Sequence, residues 1–244
     1  MKEVLSIMNN LRKSSAYDEK AAESYDSKRF TTASGKLFDH LEKEKLDEAL
    51  RHVPLESQVL ELGAGTGRFS FYLSKRGYQA HLIDLSSPML RICKSKFNIQ
   101  KVEFLGLQCS STHLPFRSQS FDFVFAIRLL NQLPSSGAAL RTIQEMIRVC
   151  RIGGNILFEF VNGEGLTRLD YQKTTFLSMK VVHHLIDSIN HVFIVNTKGI
   201  LFFSQSALDK IPRIFKKIHL KVDKFFCSIA PLHATRCYVL LKKN

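Results

Sequence analysis

Short apolar runs alternate with amphipathic stretches along most of the chain. The apolar runs are typical of buried strands, and the stretches between them carry hydrophobic residues at helical spacing. The predicted strands are 59–62, 79–83, 102–105, 120–126 and 155–161. Strands that alternate with helices in this way indicate an α/β fold with a mainly parallel sheet.

The pattern differs before residue 58 and after residue 161. Residues 1–30 and the stretch from Phe38 to Leu50 predict helices ahead of the first strand. For the other end we expect a helix over 167–189, a hairpin of 191–195 with 199–203, a helix over 206–217, and strands over 220–229 and 236–242. The last two strands are expected to add an antiparallel pair to the sheet.

A glycine-rich loop follows the first predicted strand. It reads Glu61-Leu-Gly-Ala-Gly-Thr-Gly67 and leads into a helical pattern with Phe69 and Leu73 on one side. Glycines remove the Cβ atoms that would keep a ligand away from the backbone N–H groups and the helix N-terminus. Asp84 ends the next strand, about twenty residues beyond the glycines, where a carboxylate can accept both hydroxyls of a ribose.

The order of these residues resembles a known family. Glu-Leu-Gly-Ala-Gly-Thr-Gly followed by Ile83-Asp-Leu-Ser86 closely resembles the cofactor loop and acidic loop of class I S-adenosylmethionine-dependent methyltransferases. A dinucleotide fingerprint would instead read G-x-G-x-x-G. Residues 108–116 resemble the family's adenine loop, although Ser110 stands where an acidic residue is usual. The resemblance covers residues 58–161, and the alternative is an α/β domain with a vestigial loop.

The resemblance implies S-adenosylmethionine as the cofactor. It also implies a Rossmann-like, doubly wound sheet of seven strands, mostly parallel with an antiparallel last strand, an N-terminal helical cover and an insert after the fifth strand. The positions that match the family's cofactor site are Glu61, Gly63, Ala64, Gly65, Gly67, Asp84, Leu85, Met89, Ser110, Ser111 and Ile127. In the N-terminal cover, Tyr25 and Arg29 match the aromatic and basic residues that lie near the cofactor carboxylate.

The acceptor site is marked less clearly. Ligands of open α/β sheets lie beyond the carboxyl ends of the strands. The candidate acceptor residues are Arg128, Asn131, Asn162, His183 and His184. Asn131 is equally well explained as a cap of the following helix, and the two histidines as surface or core residues. A general base is needed only if the acceptor holds a proton at neutral pH, so no catalytic residue is assigned, and no metal site is expected.

The charge of the chain is high and uneven. The formal net charge is +13 at pH 7, and residues 166–244 hold thirteen Lys and Arg against four Asp and Glu. Such a basic segment favours an anionic partner such as nucleic acid. The alternative is one solvated face of the predicted helix 206–217, which explains the charges without a partner. We prefer that alternative and do not expect nucleic-acid binding.

These patterns lead to one functional prediction with two alternatives. We expect a single cytoplasmic methyltransferase domain over 1–244 with a small-molecule acceptor. Its segments are 1–57 (helical segment), 58–161 (cofactor core), 162–204 (substrate-cover insert) and 205–244 (final helix and strands). The alternatives are a methyltransferase acting on RNA or protein and a noncatalytic binding module of the same fold. The five cysteines lack metal-like spacing, no apolar run reaches the roughly 20 residues of a membrane span, and the oligomeric state stays open.

Overall fold

The computed structural model describes residues 17–164, 174–200 and 233–244, together with 222, 225 and 227. The predictions for residues 1–16, for 201–203 and for the helix over 206–217 lie outside these described residues.

Eight strands in the described part of the chain form one sheet. They are β1 (Gln58–Leu62), β2 (Gln79–Asp84), β3 (Leu105–Gln108), β4 (Phe121–Ala126), β5 (Cys150–Asn162), β6 (Phe176–Leu177), β7 (Val192–Ile200) and β8 (Arg236–Lys243). The order is β3-β2-β1-β4-β5-β8-β7, and β6 pairs with β5 outside this path. Strand β8 runs antiparallel to both of its neighbours, β5 and β7, and the other strand pairs are parallel. The predicted Rossmann-like sheet is confirmed, with the two-residue β6 as an additional strand.

Six α-helices have their bounds within the described residues. They are α1 (Glu19–Phe30), α2 (Ala33–Leu50), α3 (Arg68–Ser74), α4 (Ser87–Ile99), α5 (Ser136–Val149) and α6 (Met179–Asp187). A 3-10 turn, Leu130–Gln132, follows β4. Hydroxyl or carboxyl side chains accept the first free N–H groups of five helices. These caps are Asp18, Thr32, Ser86, Ser135 and Ser178.

The centre of the sheet is apolar on both faces. Every residue of β4 is buried, which explains its continuous apolar run. On one face, Val124 and Phe158 join the cluster that includes residues of α5 and α6. On the other face, Phe123 and Phe125 join residues of α2 and α3. This double burial makes the ends of β1, β2 and β4 a rigid platform for the loops that follow them.

The third strand was predicted three residues too early. It spans Leu105–Gln108 rather than 102–105, because the N–H of Val102 still closes helix α4 on the carbonyl of Phe97 at 2.9 Å. The observed register pairs Gln108 with Asp84. The loop that follows β3 therefore begins beside the carboxylate of Asp84.

The predicted hairpin around residues 196–199 is wrong. Residues 192–200 form the single strand β7, and Asn196 to Gly199 pair with β8 along its length. A bulge between Ile194 and Asn196 accounts for the shift in register between β7 and β8. Because β8 supplies hydrogen-bond partners through the whole run, no reversal of the chain is needed. Strand β7, rather than the predicted strand 220–229, is thus the neighbour of β8.

Three further predictions need correction. Of the helix predicted over 167–189, residues 167–173 lie outside the described part of the chain, residues 176–177 are a strand, and the helix α6 begins at Met179, where Ser178 caps it. Val222, Phe225 and Cys227 are helical rather than extended. The fifth strand begins at Cys150 rather than at residue 155, and Gly153, at a φ of 77°, lies in a bulge inside it.

Candidate functional site

The loop between β1 and α3 is built on three glycines in left-handed conformations. Their φ angles are 71° at Gly63, 56° at Gly65 and 77° at Gly67, a region that glycine enters without steric cost. The N–H of Gly63 donates to the carbonyl of Ile83 at 2.8 Å, and the N–H of Gly65 donates to Oδ2 of Asp84 at 2.7 Å. The loop is therefore tied to the end of β2.

The three glycines differ in what surrounds them. A Cβ atom at Gly67 would overlap Sγ of Cys93, and one at Gly63 would lie 2.7 Å from Cδ1 of Leu129. A Cβ atom at Gly65 would meet nothing within 4 Å. Gly67 and Gly63 are needed for packing, whereas the space in front of Gly65 is open to a ligand.

Two carboxylates flank the loop. Glu61 is buried and accepts the N–H of Ser70 at 2.8 Å and its hydroxyl. Burial raises the pKa of Glu61 to about 7. Asp84 accepts N–H groups of Ser86 and Gly65, each at 2.7 Å, yet burial raises its pKa as well. Both carboxylates are thus oriented by backbone donors before any ligand arrives.

A cavity of about 440 Å³ lies beyond the carboxyl ends of β1, β2 and β4. The structure brings eleven of the predicted cofactor residues together in its wall: Tyr25, Glu61, Gly63, Ala64, Gly65, Asp84, Leu85, Met89, Ser110, Ser111 and Ile127. The wall does not include Arg29 or Gly67. The Arg29 guanidinium lies 5.4 Å from the centroid of the Tyr25 ring, and Gly67 packs under α4.

Only one of the five residues predicted for the acceptor lies in the cavity wall. Arg128 lines the cavity, but Asn131, Asn162, His183 and His184 do not. Both asparagines are buried structural residues: the carbonyl of Asn131 accepts the N–H of Thr175 at 3.0 Å, and Nδ2 of Asn162 donates to a carbonyl. Both histidines are on the exposed face of α6. None of the four is placed to meet a ligand in this cavity.

Several lining residues were not singled out from the sequence as site residues. They are Thr66, Arg68, Phe69, Ile83, Ser86, Cys109, Thr112, Leu129, Leu133, Pro134, Ala138 and Arg141. Most are direct neighbours of predicted residues, so the glycine loop and the strand ends were sufficient signals for them. Arg141 lies on α5 and has no such signal in the sequence.

Helix α1 and Tyr17, two residues before it, cover part of the cavity. The rings of Tyr17, Tyr25 and Phe30 meet edge to face, with centroids 6.1 Å apart in each pair, and all three line the cavity. Asp26 accepts the hydroxyl of Thr66 at 2.6 Å and forms an ion pair with Lys96. The cover is therefore bonded to the glycine loop and to α4.

A shared carboxylate holds two arginines of the cavity wall. Glu42 on α2, which is 1% exposed, pairs with Arg68 and with Nε of Arg128. Arg68 also donates to Asp39 at 2.7 Å, and the backbone N–H of Arg128 donates to Glu159 at 2.8 Å. Helix α2 and strand β5 thus fix the charged side of the cavity.

Comparison with known proteins agrees with this geometry. A family described as a methyltransferase domain matches residues 60–158, which include the glycine loop, Asp84 and strand β4. The chain contains a class I S-adenosylmethionine-dependent methyltransferase domain. Its cofactor is S-adenosylmethionine.

The methyltransferase domain has relatives with different acceptors. The tRNA (carboxymethyluridine(34)-5-O)-methyltransferase of Arabidopsis thaliana is 26% identical over 174 residues, which are 69% of this chain and 39% of that protein. Phosphoethanolamine N-methyltransferase 3 of the same plant is 32% identical over 124 residues, 48% of this chain and 24% of the relative. The chain thus spans less than half the length of either relative.

Solved structures share the fold of the methyltransferase domain at low identity. The [4+2]-cyclase SpnF has a TM-score of 0.64 at 14% identity, over 88% of this chain and 83% of the cyclase. Because a cyclase has this architecture, the fold by itself does not determine the reaction.

Two features are absent from the described part of the chain. No helix there is both long and apolar enough to cross a membrane. No group of three or more His, Cys, Asp or Glu side chains in those residues is placed to hold a metal ion.

Proposed function

We propose that this chain transfers a methyl group from S-adenosylmethionine to a small-molecule acceptor bound in the same cavity. The observation that carries the proposal is the cover of aromatic side chains over the cavity. Tyr17, Tyr25 and Phe30 lie over the glycine loop and turn the end of the sheet into a cavity of about 440 Å³. Enclosed, largely preformed cavities are typical of small-molecule sites.

In this proposal the backbone and Asp84 bind the cofactor. Asp84 accepts the ribose hydroxyls, and the open space before Gly65 takes the chain that leads to the sulfonium. Ser110 and Ser111, which line the cavity after β3, bracket the adenine. The hydroxyl of Ser110 lies 2.9 Å from that of Thr112, so a neutral pair stands where a carboxylate is usual in the family.

The reaction requires alignment more than acid–base chemistry. Methyl transfer is an in-line displacement in which the sulfonium is the leaving group, so orienting the acceptor and excluding water provide much of the acceleration. Among the described residues that line the cavity there is no histidine. Glu61 and Asp84 already accept backbone N–H groups. These features favour an acceptor whose nucleophilic atom needs no strong base.

A second candidate function is methylation of RNA. It is favoured by the relative that is named a tRNA methyltransferase and by the net charge of +13. Against it, residues of α1 line the cavity, and Asp26 of α1 accepts the hydroxyl of Thr66 in the glycine loop, which leaves less room for a polymer. The third candidate, a noncatalytic cofactor-binding module, is disfavoured by the intact loop and Asp84.

One labelling experiment separates the three candidates. The purified protein is incubated with S-adenosylmethionine carrying a labelled methyl group, together with either a small-metabolite extract or total RNA. We expect label in the small-molecule fraction and none above background in RNA. Label in RNA alone would establish the second candidate. Cofactor binding with no transfer to either fraction would establish the third.

A further inference from the structure

Arg128 is held in an unusual conformation at the wall of the cavity. Its backbone has a φ of 62°, a left-handed value that is uncommon outside glycine, asparagine and aspartate. The Nε atom donates to Glu42 on α2, and the backbone N–H donates to Oε2 of Glu159 on β5 at 2.8 Å. The side chain is 16% exposed. Helix α2 therefore positions the guanidinium, and strand β5 positions the backbone of the same residue.

The terminal nitrogens of Arg128 have no such partners. In the part of the chain that the structure describes, neither Nη1 nor Nη2 has a hydrogen bond or ion pair, and Arg128 lines the cavity. Neither nitrogen is among the fully buried side-chain atoms that lack a partner, so both are accessible to a ligand in the cavity. The planar fork of a guanidinium matches a carboxylate or a phosphate through two parallel hydrogen bonds. The geometry thus leaves a preformed fork for an anion.

The charges around Arg128 are also unbalanced. Arg128 and Arg68 share the carboxylate of Glu42, while Asp39 pairs with Arg68 and Lys43. Glu159, which accepts the N–H of Arg128, pairs with Arg236. The whole group thus holds four cations and three carboxylates, so one positive charge is not compensated within it. A low-dielectric wall strengthens the attraction of such a charge for an anion.

The position of the fork favours the acceptor over the cofactor. The contacts of Arg128 are with α2 and β5, whereas Asp84 and Ser110 lie at the ends of β2 and β3. We propose that Arg128 binds a carboxylate or phosphate group of the acceptor, with Glu42 as its positioning residue. This inference rests on the proposed function and names the chemical class of its acceptor.

The first test asks whether the anion belongs to the cofactor. Calorimetry measures the affinities for S-adenosylhomocysteine and for 5′-methylthioadenosine, which lacks the amino-acid carboxylate. The variant is Arg128→Asn, since asparagine tolerates the left-handed backbone, and Arg117→Gln is the matched control because Arg117 is exposed and outside the cavity wall. We expect the ratio of the two affinities to stay within about twofold of the wild-type ratio in both variants.

The second test measures anion binding directly. Inorganic phosphate, or acetate, is titrated into the protein with and without S-adenosylhomocysteine, and the arginine Nε–H signals are followed by NMR. We expect a saturable shift of one signal that is missing in Arg128→Asn and unchanged in Arg117→Gln. Arg128→Lys keeps the charge but loses the fork, and should bind phosphate about tenfold more weakly.

The outcomes distinguish the inference from the function on which it rests. If Arg128→Asn weakens only S-adenosylhomocysteine, the fork binds the cofactor carboxylate and the inference is wrong. If no signal of Arg128 responds to either anion, the inference is also wrong, even where cofactor binding is intact. A protein that binds phosphate at Arg128 but not S-adenosylhomocysteine would retain the anion site and overturn the proposed function.

Discussion

The two sides of the cavity are built from different parts of the chain. On the side proposed for the cofactor, the N–H of Gly65 in the glycine loop donates to the carboxylate of Asp84 at 2.7 Å. On the side proposed for the acceptor, Glu42, Arg128 and Glu159 come from α2, the end of β4 and β5. The first side is local in sequence and depends on backbone conformation. The second is assembled from distant side chains and depends on charge.

This difference explains how the two sides are expected to vary. A loop that is fixed by glycine conformations and by packing tolerates little change without loss of the fold. A charged wall can change its specificity by single substitutions while the sheet beneath it stays the same. Substitutions on the two sides should therefore differ in kind: loss of folding or cofactor affinity on one, altered acceptor selection on the other.

The largest effect is expected from alanine at two glycines of the same loop. Gly67→Ala places a Cβ atom on Sγ of Cys93 at a left-handed residue, and should lower the free energy of unfolding by about 2–5 kcal/mol. Gly65→Ala meets no protein atom, so it should cost about 1 kcal/mol of backbone strain. Denaturant unfolding measures both. Equal losses would contradict the division between packing and ligand space.

A pH-dependent effect is expected from the buried carboxyl group of Glu61. Its pKa is raised by burial from 4.5 to about 7, so the folded state holds a proton there that the unfolded state releases. The contribution of Glu61 to stability is therefore fully present below pH 4.5 and is lost as the pH rises through about 7. The contribution of this group is at most about 3 kcal/mol. The difference in unfolding free energy between wild type and Glu61→Gln should change over this range, and a constant difference would refute the shift.

A large loss of cofactor affinity is expected from Asp84→Ala. The substitution removes hydrogen bonds to the ribose hydroxyls, each worth about 1.5–3 kcal/mol when the acceptor is charged. Calorimetry should show at least about a tenfold weaker affinity for S-adenosylhomocysteine. Asp122→Ala is a control on β4 outside the cavity wall. If folded Asp84→Ala protein bound S-adenosylhomocysteine as tightly as the wild type, Asp84 would not be part of the cofactor site.

A smaller effect is expected where the cover meets the loop. Asp26→Ala removes the hydrogen bond to Thr66 and the ion pair with Lys96. Because that ion pair is partly exposed, we expect only about a threefold faster release of S-adenosylhomocysteine. Glu23→Ala on the exposed side of α1 is the matched control. Equal release rates from the two variants would show that Asp26 does not hold the cover closed.

The smallest effect is expected for nucleic acid. The protein should bind RNA with a dissociation constant of only about 10⁻⁴–10⁻⁶ M, with a steep dependence on salt, as nonspecific electrostatic attraction gives. Filter binding at several salt concentrations measures this. A sub-micromolar affinity that persists at physiological salt would favour RNA as the acceptor.

More of the residues predicted for the cofactor than of those predicted for the acceptor lie in the cavity wall. Glu61, the glycines and Asp84 are adjacent to strands whose apolar runs are unmistakable, so their meeting point follows from the order of the strands. Arg128 was placed for the same reason, at the end of β4. Its partner Glu42 was not, because 86 residues separate the two in the chain and a glutamate on a charged helix carries no signal. The histidine pair was misleading, since its spacing on α6 does not indicate which way the helix faces.

Hydrogen exchange with and without S-adenosylhomocysteine tests the central claim most directly. If the loop between β1 and α3 binds the cofactor beneath α1, the amides of residues 61–67 should gain the most protection and those of 19–30 should follow. The amides of β7, on the far edge of the sheet, should not change. Binding that leaves residues 61–67 unprotected, or no binding by the folded protein, would contradict the account.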